Sequence, residues 1–311
     1  MKPVIGEDKS GLPARETGVR QPRKLFRRRA FWIPVAALCT SSLLYLWLPF
    51  RVGVVQVFFR LGGSRLQVPA EYRALNGGEF VAGRSGYPAD VQVLAFGLGP
   101  QARGVPLTRL AWHLIMNERL GEDNIAITLC AVTDAAIVYR SQCMGHALTF
   151  EPARVARNNL VMRDRETHSD WQQFTGEAIS GPLRGCQLER VPAARMSIEE
   201  FGRRFPEGEI LKASQSEQDK SAPNDQCPVM SHFAREPFLL ETPGHEDPRL
   251  PRKQRVRGWW APDGRPMACS RGAVPAPSGA SRGVRDESID CYWFAWVEFH
   301  PDTLLTSRCD G

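Results

Sequence analysis

Several chemical classes are missing from this chain. Eight cysteines in 311 residues are too few for a disulfide-dense mini-domain, and none has zinc-finger spacing. There is no Gly-x-Ser-x-Gly elbow, His-Glu-x-x-His helix, P-loop or dinucleotide fingerprint. Gly97-Leu98-Gly99-Pro100 is not such a fingerprint, because the third glycine is misplaced. No solenoid-length repeat and no heptad run occurs, which sets aside solenoids and coiled coils. Wholesale disorder is also excluded, since hydrophobic residues make up 42% of the chain and charged residues 24%.

Charge is absent from one long stretch, Ala30 to Phe50, and concentrated just before it. The net charge of +6 comes from the first thirty residues, where nine Lys/Arg meet three acids; the remainder is neutral. The uncharged stretch is long enough, at about 1.5 Å per helical residue, to cross a hydrocarbon core of about 30 Å. Trp32 lies near one end and Tyr45 and Trp47 near the other, where aromatic belts form. A cleaved signal peptide would have a shorter apolar region and a small-residue cut site, whereas this run ends in Trp47-Leu48-Pro49-Phe50-Arg51. Cys39 lacks the small preceding residue of a lipoprotein site. The expected organisation is a basic cytoplasmic tail (1–29), an uncleaved transmembrane signal anchor (30–50), a juxtamembrane linker (51–78) and an exported domain (79–311). The Arg27–Arg29 cluster places the N-terminus inside and the domain outside. That topological role accounts for the basic charge, so nucleic acid is not expected as a partner.

The exported part reads as α+β and β-rich, a single domain of meandering strands with short helices. Val91, Val93 and Ala95 alternate as in a strand closed by Gly97. Pro106 and Gly121 frame a predicted helix with Leu107, Leu110, Ala111, Leu114 and Ile115 as its buried stripe; His113 and Asn117 would be neighbours on it. Strands are predicted at 125–131, 135–140 and 147–151, the last after a Met144-Gly145-His146 turn. Thr167-x-x-Asp170 and Ser197-x-x-Glu200 have the capping-box form, which predicts two short helices. Residues 213–257 are polar and proline-rich and read as an exposed excursion. Cys291–Val297 is short and aromatic and reads as a buried strand.

Four blocks carry a resemblance: AWHLIMNERLGEDNIAITLCAVTDAAIVY, LTFE, NNLVMRDRETHSDWQQFTGEAISGPLRGCQL and YWFAWVEFHPDTLL. Over residues 106–212 and 290–305 they resemble the bacterial domain-of-unknown-function family three-one-seven-nine, DUF3179. In that family a His-centred block with an Asn leads into Thr-x-Cys-Pro-x-Cys, followed by Asp, Thr, Ser, Trp-x-Gln and a Gly-x-Ala-Ile-x-Gly run. The matching positions here are His113, Asn117, Thr128, Cys130, Ala136, Asp164, Thr167, Ser169, Trp171, Gln173, Gly176, Ala178, Ile179 and Gly181. The chain departs at Glu118, at Ala131 and above all at Thr133, where the family has its second cysteine. Cys-x-x-Cys redox chemistry is therefore closed to it at that position. The resemblance implies no particular activity.

The candidate residues follow from these blocks. Cys130, His113 and Asp164 are the candidate catalytic groups; the rival reading of Cys130 is a small apolar residue in a buried strand. Thr128 and Cys130 share one side of their strand and Ile125, Ile127 and Leu129 the other. His113, Cys130 and His300 have the chemistry for copper or zinc. The alternatives are a helix-edge histidine bonded to a carbonyl for His113 and a turn residue before Pro301 for His300. Asn117, Thr167, Ser169, Trp171 and Gln173 are candidate ligand-binding residues; a structural turn-and-anchor role is the competing account of that run. Three functions remain open for a domain facing the envelope from the bacterial inner membrane: a ligand- or partner-binding domain, a periplasmic metal or thiol enzyme using Cys130 and His113, and a structural assembly factor with an envelope-protein partner. Seven cysteines lie outside the anchor. An odd number leaves at least one unpaired, and the motif points to Cys130; the other six can form three disulfides, the rival reading being that several of them are also reduced and merely buried.

Overall fold

A computed structural model describes residues 66–68, 72–82, 86–97, 102–213, 233–234, 239–270, 288–307 and 309. All of them belong to one compact unit, Phe58–Gly311. The basic tail, the expected anchor at 30–50 and residues 214–232 of the polar excursion lie outside the described residues. Among the described residues no helix is long and apolar enough to cross a membrane.

The architecture is β-rich with short helices, as the sequence predicts. A central sheet runs in the order Arg190–Val191, Ala135–Arg140, Asp123–Cys130, Ile115–Leu120, Leu75–Asn76. Both of its faces are covered. Ile125, Ile127 and Leu129 point into one core with Leu107, Leu110 and Ala111 of helix α1 (Leu107–His113). Ala126 and Cys130 point into a second core with Trp171, Phe174 and Trp296. Burial on both faces explains why IAITLC is nearly continuous in hydrophobicity and why its one hydroxyl, Thr128, needs a partner.

Across the first core lies a sheet ordered Ala193–Ser197, Gln92–Phe96, Arg103–Pro106, Glu209–Leu211, Phe80–Ala82. Helix α2 (Ile198–Arg204) covers it, with Phe201 packed against Val93 and Ile210. Across the second core lie two sheets. One is an antiparallel run of Leu66–Gln67, Phe150–Ala156, Asn159–Asp164, Asp170–Gln172 and Ala178–Ser180. The other is ordered Ile289–Tyr292, Arg255–Trp260, Pro266–Ser270, Leu304–Thr306 and continues into helix α3 (Trp293–Phe299).

Several predicted elements change character. The predicted helix stops at His113: Leu114 turns left-handed (φ 61°) and Ile115–Leu120 pairs as a strand with Asp123–Cys130. Gly121, read as a helix stop, instead has φ 63° in the two-residue Gly121-Glu122 hairpin. Six cross-strand pairs outweigh further turns of a helix that is marginal in isolation. His113 and Asn117 are consequently not helical neighbours. Thr167 starts no helix, because Asp170 opens a strand two residues after the left-handed His168 (φ 59°). Ser197 does cap α2, accepting from Glu200 N at 3.1 Å.

The strand predicted at 147–151 is Phe150–Ala156, and Ala147 belongs to a small hairpin with Gln142–Cys143. Cys291–Val297 divides into the end of a strand and the first turns of α3. Residues Trp293 to Glu298 are all buried, so no helical stripe is visible in the sequence. The expected linker contributes the strands Leu66–Gln67 and Leu75–Asn76. The end of the polar excursion is also tied down. Asn158, in a hairpin turn with Arg157 (φ 56° and 54°), accepts from Leu240 N and Glu241 N, both at 2.8 Å.

Candidate functional site

Three of the candidate residues converge on a fourth, Asp164. Its carboxylate, fully buried at the end of the Asn159–Asp164 strand, accepts from Thr167 N, Thr167 Oγ1 (3.0 Å), Ser169 N (3.1 Å) and Trp171 Nε1 (2.8 Å). The Ser169 hydroxyl lies 2.8 Å from Thr167 Oγ1 and accepts from Leu183 N at 3.0 Å. Trp171 stacks edge-to-face on Phe150 with centroids 5.8 Å apart. Every polar atom of this node serves the turn and the strand after it. Asp164 thus acts as an internal acceptor, and its lone pairs are occupied by the chain itself.

Gln173 belongs to a second network, spanning the two sheets. Its amide donates to Thr128 Oγ1 (2.9 Å) and Ala135 O (3.2 Å), and its Oε1 accepts from Asn159 Nδ2 (2.8 Å). Asn159 Oδ1 in turn accepts from Gln172 Nε2 (2.7 Å) and Phe174 N (2.9 Å). Asn117 joins the central sheet to the neighbouring one, with Nδ2 donating to Phe150 O and Oδ1 accepting from Phe150 N, both at 2.9 Å. Nδ2 also donates to Asn76 Oδ1 at 3.0 Å. Such buried networks fix sheet against sheet, because each partner lost leaves a costly orphan.

The three candidate metal ligands do not form a site. His113 Nδ1 is 3.0 Å from Arg73 O, the carbonyl-bonded arrangement. Cys130 is buried with Sγ 3.9 Å from Asn158 O. His300 caps α3 inside an aromatic cluster. Among the described residues no group of three or more His, Cys, Asp or Glu could hold a metal ion. At the position of the family's second cysteine, Thr133 Oγ1 donates to Cys130 O (3.5 Å) and accepts from Asn159 Nδ2 (3.3 Å). The hydroxyl there is part of the turn's own bonding.

Cys143 pairs with Cys186 and Cys269 with Cys309. Cys130 is free, as expected, but so is Cys291, which is also buried; three disulfides among the other six are therefore not formed. Burial pushes the Cys291 thiol well up, with the nearby Asp290 and Asp134 adding to it. It behaves as an apolar side chain.

Two features escaped sequence reasoning. One is Asp134, buried in a left-handed turn (φ 53°) and clamped by Arg195 Nη1 and Arg255 Nε, each at 2.9 Å. Neither arginine is near it in sequence. The other surrounds His300. Its ring lies 4.4 Å from Trp296, 5.2 Å from Trp260 and 6.0 Å from Phe174, and its Nε2 is buried with no hydrogen-bond partner. Arg190 sits over Trp260, 4.3 Å from the ring centroid. Nothing local in the sequence ties Trp260 to Arg190 or His300.

Burial, with Arg190 adding to it, pushes His300 down to about 4 from 6.5. The imidazole is neutral in the folded chain and takes a proton more readily when unfolded. Stability should therefore be level above pH 6.5 and fall as pH drops from there towards 4. This contribution should be about 1–2 kcal/mol once partial exposure is allowed for. His300→Phe keeps the ring packing and should flatten that part of the curve. Urea unfolding of both proteins across the range checks it; identical pH curves would contradict the assignment.

The glycines of the signature serve the same framework. A Cβ on Gly176 would lie 2.6 Å from Tyr139 Cε1, and one on Gly181 2.6 Å from Ser169 Cα; both glycines have positive φ. No curated protein and no solved structure matches the chain. The family model described as "Protein of unknown function (DUF3179)" matches residues 75–279, well over half of the chain. That span holds the Asp164 node, the Gln173 network, Cys130 and both signature glycines, and the chain belongs to this family.

Proposed function

We propose that this protein is a membrane-anchored, envelope-facing domain that binds a ligand or protein partner without turning it over. One observation carries the reading. The polar side chains of the signature, from Asn117 through Asp164 to Gln173, are engaged in bonds within the fold. The one hydroxyl beside a carboxylate, Thr167 Oγ1 at 3.0 Å from Asp164, is also held by Ser169 Oγ, and that carboxylate already accepts from Ser169 N and Trp171 Nε1, so the pair serves the turn and is not a free nucleophile with its base. The uncharged stretch 30–50 with its basic flank supports anchoring with the N-terminus in the cytoplasm. The pairs Cys143–Cys186 and Cys269–Cys309 support an oxidising compartment for the domain.

Fusions at the C-terminus test the topology. An alkaline phosphatase fusion should be active, and a fluorescent fusion that matures only in the cytoplasm should stay dark; the reverse pattern would overturn it. Metal analysis separates binding from metalloenzyme chemistry. Full-length protein purified without a His tag should carry no stoichiometric copper, zinc or iron. A stoichiometric metal that disappears in Cys130→Ala would instead favour catalysis through Cys130 and His113.

A further inference from the structure

The cluster around His300 holds two polar groups with unmet capacity. His300 Nε2 is buried without a partner, which costs about 1–3 kcal/mol for a desolvated polar atom. Arg190, at the edge of the central sheet, is half-buried and reaches only neutral oxygens, Phe174 O at 3.5 Å and the Tyr139 phenol. Its sequence neighbour Glu189 is turned to Arg140 instead, at 3.1 Å. Among the described residues no carboxylate lies within salt-bridge distance of the Arg190 guanidinium, whereas most buried cations are paired. The two groups are adjacent, close enough for the guanidinium to disfavour a proton on the imidazole.

The geometry suits an anion. The Arg190 guanidinium rests against the Trp260 ring, its carbon 4.3 Å from the centroid, and among the described residues its fork of N–H groups meets only Phe174 O and the Tyr139 phenol. With the imidazole proton on Nε2, His300 offers a further donor nearby. Trp260 supplies apolar surface at the rim, while Trp296 and Phe174, both fully buried, close the cluster behind it. Arg190, Trp260 and His300 come from three elements and are each half-buried, so the cluster opens to solvent at its rim. A carboxylate reaches the buried His300 Nε2 only if the long Arg190 side chain swings outward.

We propose that Arg190, His300 and Trp260 form a binding subsite for a small organic carboxylate with an apolar or aromatic body. The carboxylate takes N–H donors of Arg190 with one oxygen and His300 Nε2–H with the other, and the body lies against the partly exposed Trp260. A fork-shaped donor set of this kind matches a planar carboxylate better than a point charge. The inference deepens the binding reading above and rests on it, but not on the membrane topology.

The test uses the full-length protein in non-ionic detergent, titrated calorimetrically and by tryptophan fluorescence with benzoate, acetate and benzyl alcohol. Benzoate should saturate, acetate should bind more weakly, and benzyl alcohol should not bind. Arg190→Met keeps an unbranched apolar stem but removes the fork, and should weaken benzoate by about tenfold or more, the loss expected of a charge-assisted pair. His300→Phe should weaken it too, and Arg184→Met, a control at an exposed arginine, should not. Failure of benzoate to saturate, or saturation unchanged in Arg190→Met with its unfolding midpoint retained, would overturn the subsite. It would leave binding of other ligands by the domain standing. Benzoate recovered chemically altered would uphold the subsite and overturn binding without turnover.

Discussion

Asp164→Ala should cost the domain about 3–5 kcal/mol, enough to abolish most folded protein in a marginally stable chain. The estimate follows from what is left behind. Ser169 N and Trp171 Nε1 lose their acceptor in a buried place, where each orphaned donor costs about 1–3 kcal/mol, and Thr167 N loses its own at a partly exposed one. The Thr167 hydroxyl is partly spared, because Ser169 Oγ remains 2.8 Å away. Asp164→Asn keeps the shape and one acceptor oxygen and should fall between alanine and wild type. Chemical denaturation measures both. If Asp164 were a catalytic acid held in an otherwise self-sufficient fold, Asp164→Ala would unfold at the wild-type midpoint, and the structural account of this block would fail.

Gly181→Ala should be nearly as damaging, at about 2–4 kcal/mol, from two separate causes. The backbone at Gly181 has φ 90°, a conformation in which an L side chain is strained wherever it points. The added methyl would also press on Ser169, with 2.6 Å to Cα and 2.7 Å to Oγ. Ser169 cannot yield cheaply, because its hydroxyl holds Leu183 N and its amide holds Asp164. Gly185→Ala is the matched control. Its φ is also positive, at 85°, but nothing lies within 4 Å of the new carbon, so it reports strain without the clash. Thermal unfolding of the pair separates the two contributions; equal losses would remove the close-approach argument at Gly181.

What the sequence revealed depended on whether the deciding contacts were local. Ser197 is followed three residues later by Glu200, a self-contained cap, and α2 starts there. The side-chain alternation of Thr128 and Cys130 against Ile125, Ile127 and Leu129 needs only the period of a strand, and the two faces do meet two different cores. The fate of Ile115–Leu120 was not local. Those residues keep a helical spacing, and only pairing with Asp123–Cys130 makes them a strand. The aromatic run after Cys291 was ambiguous for another reason: complete burial of α3 removes the polar face that would have declared a helix.

The candidate site was half legible for the same reasons. Asp164, Thr167, Ser169 and Trp171 stand within eight positions of one another and were recognisable as one unit, with both a binding and a structural reading in view. In the fold these side chains bond to the chain itself. Arg190 and Trp260 are distant in sequence from each other and from His300, and no pattern in a single sequence brings them together. Cys291 shows a further limit. Counting cysteines leaves one unpaired, but only packing tells that a second thiol is buried away from partners.

Alkylation of the thiols in freshly lysed cells, on denatured but unreduced full-length protein followed by peptide mapping, tests the account most directly. It reads the compartment and the fold in one experiment. An exported domain with this architecture predicts unlabelled Cys143, Cys186, Cys269 and Cys309, recovered as Cys143–Cys186 and Cys269–Cys309 peptides, and label on Cys130 and Cys291. Label on all six would contradict an oxidising location, and a disulfide joining Cys130 to any other cysteine would contradict the packing of the central sheet.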